Sequence, residues 1–131
     1  MHIKNIDIQG RHIHDIPSFY EEINRVFMAG EDWKIGESLD ALDDILYGGT
    51  GKISGNEPVK LTWYDFDKSR LALGMDTTVT WYREKLRYPE KFNSTLIRER
   101  LTALENGQGQ TFFDIVMEII ASHTNIMLHK H

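Results

Sequence analysis

Residues 36–49 read GESLDALDDILYGG. The run from Leu39 to Tyr47 has the pattern of a short amphipathic helix, 39–47. Leu39, Leu42, Ile45 and Leu46 form one stripe, and apolar residues at that spacing face a core. Asp40, Asp43, Asp44 and Tyr47 share the opposite face, because they follow the i, i+3, i+4, i+7 rule. Ser38 stands where an N-cap is needed. The anionic face is a local cost. Like charges three or four residues apart destabilise a helix by roughly 0.2–0.5 kcal/mol per pair, and aspartate is a poor helix-interior residue. Only Asp40, in the first turn, is helped by the helix dipole. Carrying that cost suggests a use for the face.

The charge of the whole chain points to the same place. The sequence has 131 residues and a formal net charge of −5. Residues 31–44 hold six acids (Glu31, Asp32, Glu37, Asp40, Asp43, Asp44) and one base, Lys34, and so carry all of that net charge. Such a patch repels nucleic acid and attracts a basic partner, although a solvated acidic face is the plainer reading. The chain has no cysteine, hence no disulfide framework and no thiolate metal site. No apolar run approaches the length of a membrane span, and MHIKNIDIQG lacks the marks of a signal peptide. The expectation is a soluble, cytoplasmic protein of one domain, 1–131.

Outward from the acidic segment, strands and helices alternate. IKNIDI (3–8) reads as a strand. Asp15 and Pro17 open a helix with Phe19, Ile23, Val26 and Phe27 inward. The Gly-rich GGTGKISG, 48–55, reads as a mobile loop: it lacks the glycine and the Ser or Thr of a P-loop. VKLTWY (59–64) reads as a buried strand, and Asp65 as the cap of a short helix. Residues 75–110 are ambiguous in detail; TVTWY (78–82) fits strand or helix. TFFDIVMEIIAS (111–122) is a strongly apolar helix, and NIMLH (125–129) closes as a strand. The order β-α-α-β-α-insert-α-β predicts an α/β fold with a small three-stranded parallel sheet packed with helices and a helical insert at about 75–110.

Three uses of the acidic face compete. Paired carboxylates can do acid–base catalysis, but that needs a cleft and one raised pKa. Asp40, Asp43 and Asp44 could hold a divalent cation for a metal-dependent phosphoesterase. Or the carboxylates meet the arginines and lysines of a basic partner, which requires neither cleft nor metal.

The residues themselves carry a resemblance. Gly36, Glu37, Leu39, Asp40, Ala41, Leu42 and Asp44 match in place the motif of the barstar family, with Ser38 where that motif has asparagine. Barstar-family proteins are intracellular inhibitors of a secreted bacterial ribonuclease, and the resemblance covers about 1–73 and 111–129. It implies a protein that is not an enzyme and needs no cofactor or metal. Its helix and preceding loop would plug a ribonuclease active site, with carboxylates where RNA phosphates bind. Charge-steered association is a known property of the family's founding pair and is carried here by the resemblance alone. The implied contact residues are Trp33, Ile35, Gly36, Ser38, Leu39, Asp40, Asp43, Asp44, Tyr47, Gly48 and Glu118. Asp44 falls at the dominant acidic contact, Asp40 at its helix-start partner and Glu118 at a peripheral one.

The departures are also informative. Family aromatics align with Lys34, Ile35, Asp43 and Gly49. Aromatic anchors carry much of an interface's energy, so their absence implies a different partner: a related basic ribonuclease, such as the toxin domain of a bacterial toxin–immunity (toxin–antitoxin) system, bound one to one. A regulatory binding module without a ribonuclease partner is the remaining alternative. The insert carries six bases and three acids within 82–100; it reads as a helical extension of the core or as a second contact surface. His12, His14, His123, His129 and His131 have no evident meeting point for a metal. Trp63, Phe66, Phe112 and Phe113 read as core.

Overall fold

The structure is a computed structural model and describes residues 3–48 and 51–131. Gly49, the position of one lost aromatic, lies outside the described residues. Three strands form one sheet: β1 (Lys4–Gln9), β2 (Val59–Tyr64) and β3 (Ile126–Lys130), in the order β1-β2-β3 and parallel throughout. Six α-helices join them: α1 (Ile16–Phe27), α2 (Leu39–Leu46), α3 (Phe66–Ala72), α4 (Met75–Leu86), α5 (Ser94–Glu105) and α6 (Phe112–Ala121). The predicted α/β class, the parallel sheet and its three strands are all present.

The strands follow from period-two alternation. Ile6 and Ile8 on β1 pair with Leu61 and Trp63 on β2, and all four are buried. Asn5, Asp7, Lys60, Thr62, Met127 and His129 point the other way and are exposed or half-buried, as expected when one face of a sheet meets the core. The core on the inner face is aromatic. Phe19 meets Phe112 edge-on at 5.5 Å between ring centroids, and Trp63 meets Phe113 at 5.7 Å. Trp63 is fully buried, and its indole N–H donates to Ser69 Oγ at 2.9 Å, which satisfies the one polar atom it brings inside.

Local signals set the helix ends. Asp15 and Ser18 form a reciprocal capping box at the start of α1. Thr111 and Asp114 do the same for α6. Asn93, the first residue of a glycosylation-like Asn-Ser-Thr, caps α5 by accepting from the Leu96 amide. Asp65 does not cap α3. Its side chain makes no cap hydrogen bond, and its backbone is left-handed, with φ 51°. The chain turns there so sharply, from β2 into α3, that conformation rather than capping decides the residue.

Two readings of the sequence gain definition. TVTWY is helix: residues 78–82 lie inside α4. The 75–110 segment forms the helices α4 and α5, which pack together over Tyr82, Ile97 and Leu104 and form a second, smaller core. Trp81 packs against both cores and meets Phe112 edge-on at 5.1 Å. The described part of the 48–55 loop is anchored, contrary to the mobile-loop reading. Ile53 is buried in the main core, and the Lys52 amide donates to Phe27 O at 2.8 Å.

Candidate acidic interface

Helix α2 is fixed from beneath and open above. Leu42, Ile45 and Leu46 are buried at 1–2% exposure, and α2 packs against α6. Ser38 caps its N-terminus, with Oγ accepting from the Ala41 amide at 3.2 Å. The helix ends at Leu46, with Tyr47 as its C-cap. Gly48 follows at φ 88°, and a Cβ there would lie 2.5 Å from the Gly55 amide nitrogen. Glycine is required at this position by backbone geometry, whatever else it contacts.

On the open face Asp40 and Asp44 are exposed. Among the described residues neither has a salt-bridge partner, and the same holds for Asp32 and Glu37. Asp43 is different. Its Oδ1 lies 2.7 Å from His123 Nε2, and because the carboxylate only accepts, the ring nitrogen donates. His123 is 4% exposed and follows α6. The Tyr47 ring stands edge-on to the His123 ring at 4.5 Å. Asp43 and Tyr47 are thus held by one buried imidazole, while Asp40 and Asp44 are not. His123 was the residue that spacing could not reveal, because it is 80 positions from Asp43.

The structure brings Glu118 to the same place. Asp40, Asp43 and Glu118 line one groove of about 240 Å³ between α2 and α6, with Leu39 and Gln110. Gln110 Nε2 donates to Glu118 Oε2 at 2.6 Å, which orients that carboxylate toward the groove's residues. Trp33 is 48% exposed and Tyr47 63%, both large for aromatic rings. Gly36 and Ser38 are exposed, and Leu39 is half-buried.

Ile35 departs from the expected contact surface. Its side chain is in the core at 6% exposure. Asn24 clamps its backbone, donating to Ile35 O at 3.0 Å and accepting from Ile35 N at 2.8 Å. Ile35 therefore anchors the loop that presents Trp33 and leaves its own side chain inside.

The geometry does not favour the cation site. Among the described residues no three His, Asp or Glu side chains converge as a metal-ligating group, and Asp43 is already engaged by His123. His12 and His14 are also separately engaged: His12 Nδ1 lies 3.0 Å from Glu22 Oε1, and His14 Nδ1 lies 3.5 Å from Lys68 Nζ.

A sequence model described as barstar (barnase inhibitor) matches residues 3–122. The chain belongs to the barstar family. The match runs from β1 to the end of α6 and so takes in the acidic loop, α2 and Glu118, and it also spans α4 and α5, which the motif resemblance leaves out. Barstar-family proteins bind ribonucleases and act as inhibitors, not as enzymes. No curated protein matches the chain. No helix among the described residues is long and apolar enough to cross a membrane.

Proposed function

We propose that this chain is a cytoplasmic inhibitor of a cytotoxic ribonuclease, and that it blocks the enzyme's cationic active site with α2 and the loop before it. One observation carries the reading: Asp40 and Asp44 project from a helix anchored in the core, exposed and without an ion-pair partner among the described residues. A cleft that binds RNA must be cationic, and its arginines and lysines would supply the missing counter-charges. Family membership supports the class of partner.

In this reading Asp44 and Asp40 make the central charge contacts. Asp43, Glu118, Tyr47 and Trp33 frame them, and Gly36, Ser38, Leu39 and Gly48 set the backbone of the contact segment. The exposed rings of Trp33 and Tyr47 take the role of anchors that the family places elsewhere. The partner is a relative of barnase with a different rim, such as a ribonuclease toxin against which this chain confers immunity, bound one to one by this single domain.

Affinity capture tests the proposal. Wild type and an Asp40→Ala/Asp44→Ala variant are immobilised side by side, and protein from the source organism is passed over both at low and high salt. The eluates are assayed for RNA cleavage. Ribonuclease activity held by wild type, loosened by salt and absent from the variant is the expected result. Equal capture on both columns would place the site elsewhere.

A further inference from the structure

A second cavity, of about 450 Å³, opens between the α4–α5 pair and the loop leading into α6. Lys85 and Arg100 both line it, with Trp81, Tyr82, Gln108 and Gln110. Its size is that of a small-molecule site. Among the described residues neither cation has a carboxylate partner. Of the acids near them in sequence, Glu84 pairs with Arg87 at 3.2 Å and Glu105 with Arg83 at 3.5 Å, and Glu99, exposed beside Arg100, forms no ion pair among the described residues. The Lys85 ammonium lies 4.0 Å from the centre of the Trp81 ring and 5.0 Å from that of Phe92. Cation–π attraction accounts for the placement of Lys85. It does not account for a second cation beside the first, which only adds repulsion. Burial, and then the charge of Arg100, pull the Lys85 ammonium below the ordinary lysine value. Two cations that line one cavity, one of them half-buried, and that have no carboxylate partner among the described residues leave room for an anion between them.

We propose that this cavity is a binding site for a small oxyanion, a phosphate or carboxylate group held by Lys85 and Arg100, with the amides of Gln108 and Gln110 as further hydrogen-bond groups. The site shares Leu39, Gln110 and Ile115 with the acidic groove but is opposite in charge. A bound oxyanion would tie the α4–α5 pair to the loop before α6 and to Gln110, the residue that orients Glu118. The site does not depend on the ribonuclease reading, because the two cations that would hold its ligand, Lys85 and Arg100, lie outside the acidic groove.

The test is a titration of the full chain, at constant ionic strength, with inorganic phosphate, AMP and succinate in turn, followed by two-dimensional amide NMR. The expected result is saturable binding in the millimolar range or tighter, with shifts at the Trp81 indole N–H and at Gln108 and Gln110. Lys85→Gln and Arg100→Gln should each weaken it by roughly tenfold, the loss of one charge-assisted hydrogen bond. Phosphate and AMP binding without succinate would assign a phosphate site; succinate binding as well would assign a general oxyanion site. Arg100 is exposed, so Arg100→Gln should leave the fold intact. No saturable shift with any of the three up to about 20 mM, or equal binding by the Lys85→Gln/Arg100→Gln variant, would overturn the proposal.

Discussion

At Asp44 and His123, two residues serving one face, substitution should have opposite consequences. Asp44 is exposed and has no ion-pair partner among the described residues, so Asp44→Ala should change fold stability by no more than about 0.5 kcal/mol. Its effect should fall on ribonuclease binding, where removing one member of a buried charge pair costs about 2–5 kcal/mol. His123 is buried and bonded to Asp43. His123→Ala loses that bond and leaves a void, and should cost about 2–3 kcal/mol of stability in urea unfolding. Glu22 supplies the pH dependence. It is 2% exposed, and burial pushes its carboxyl up; Arg25, His12 and the Gln9 amide more than offset this, so the net shift is downward. A depressed carboxylate stabilises the fold above the unfolded value and loses that contribution as pH falls through the folded one. Stability should therefore decline below about pH 4.3, the ordinary glutamate value, and Glu22→Gln should show a shallower decline in acid unfolding curves.

At the scale of elements, the positions that resist change are those where backbones approach closely. Gly10 follows β1, and a Cβ there would lie 2.2 Å from Tyr64 O and 2.6 Å from Ser69 Oγ. Gly10→Ala should force β1 and the β2–α3 turn apart and lower the thermal midpoint by several degrees, about 1–3 kcal/mol of overpacking. Ser38→Ala removes the α2 cap and should cost about 1 kcal/mol. Asp65→Gly relieves a left-handed backbone and should be neutral or stabilising by up to about 1 kcal/mol. The helices and strands were legible where periodicity and capping agreed, as at Asp15, Ser38 and VKLTWY. They were not legible at TVTWY, because β-branched and aromatic residues suit a strand by propensity; packing of Trp81 against both cores and of Tyr82 within the smaller one overrides that preference. Asp65 misled for a related reason, since aspartate suits both an N-cap and a left-handed turn.

Across the whole molecule, charge is partitioned. The net negative charge gathers on α2 and the loop before it, with Glu118 added by α6, and Lys85 and Arg100, without an ion-pair partner among the described residues, line a cavity on the α4–α5 pair. The acidic helix was readable from residues 36–49 because its two faces alternate at helical spacing. The hydrogen bond between Asp43 and His123, and the placing of Glu118 in one groove with Asp40, were not readable from spacing, because both depend on how α6 lies against α2. Glu118 was anticipated only through the family resemblance. Ile35 was misplaced because an isoleucine in a polar loop carries no local mark of its direction; Asn24, on α1, decides it. Inhibition of a ribonuclease by the acidic face is what Asp40 and Asp44 are proposed to carry. The most direct measurement titrates a basic ribonuclease of the barnase class, cleaving a fluorogenic RNA, with wild type and with the Asp40→Ala/Asp44→Ala variant. Stoichiometric inhibition by wild type that weakens with salt and is lost in the variant is the predicted result. Undiminished inhibition by a folded variant would contradict that role for Asp40 and Asp44.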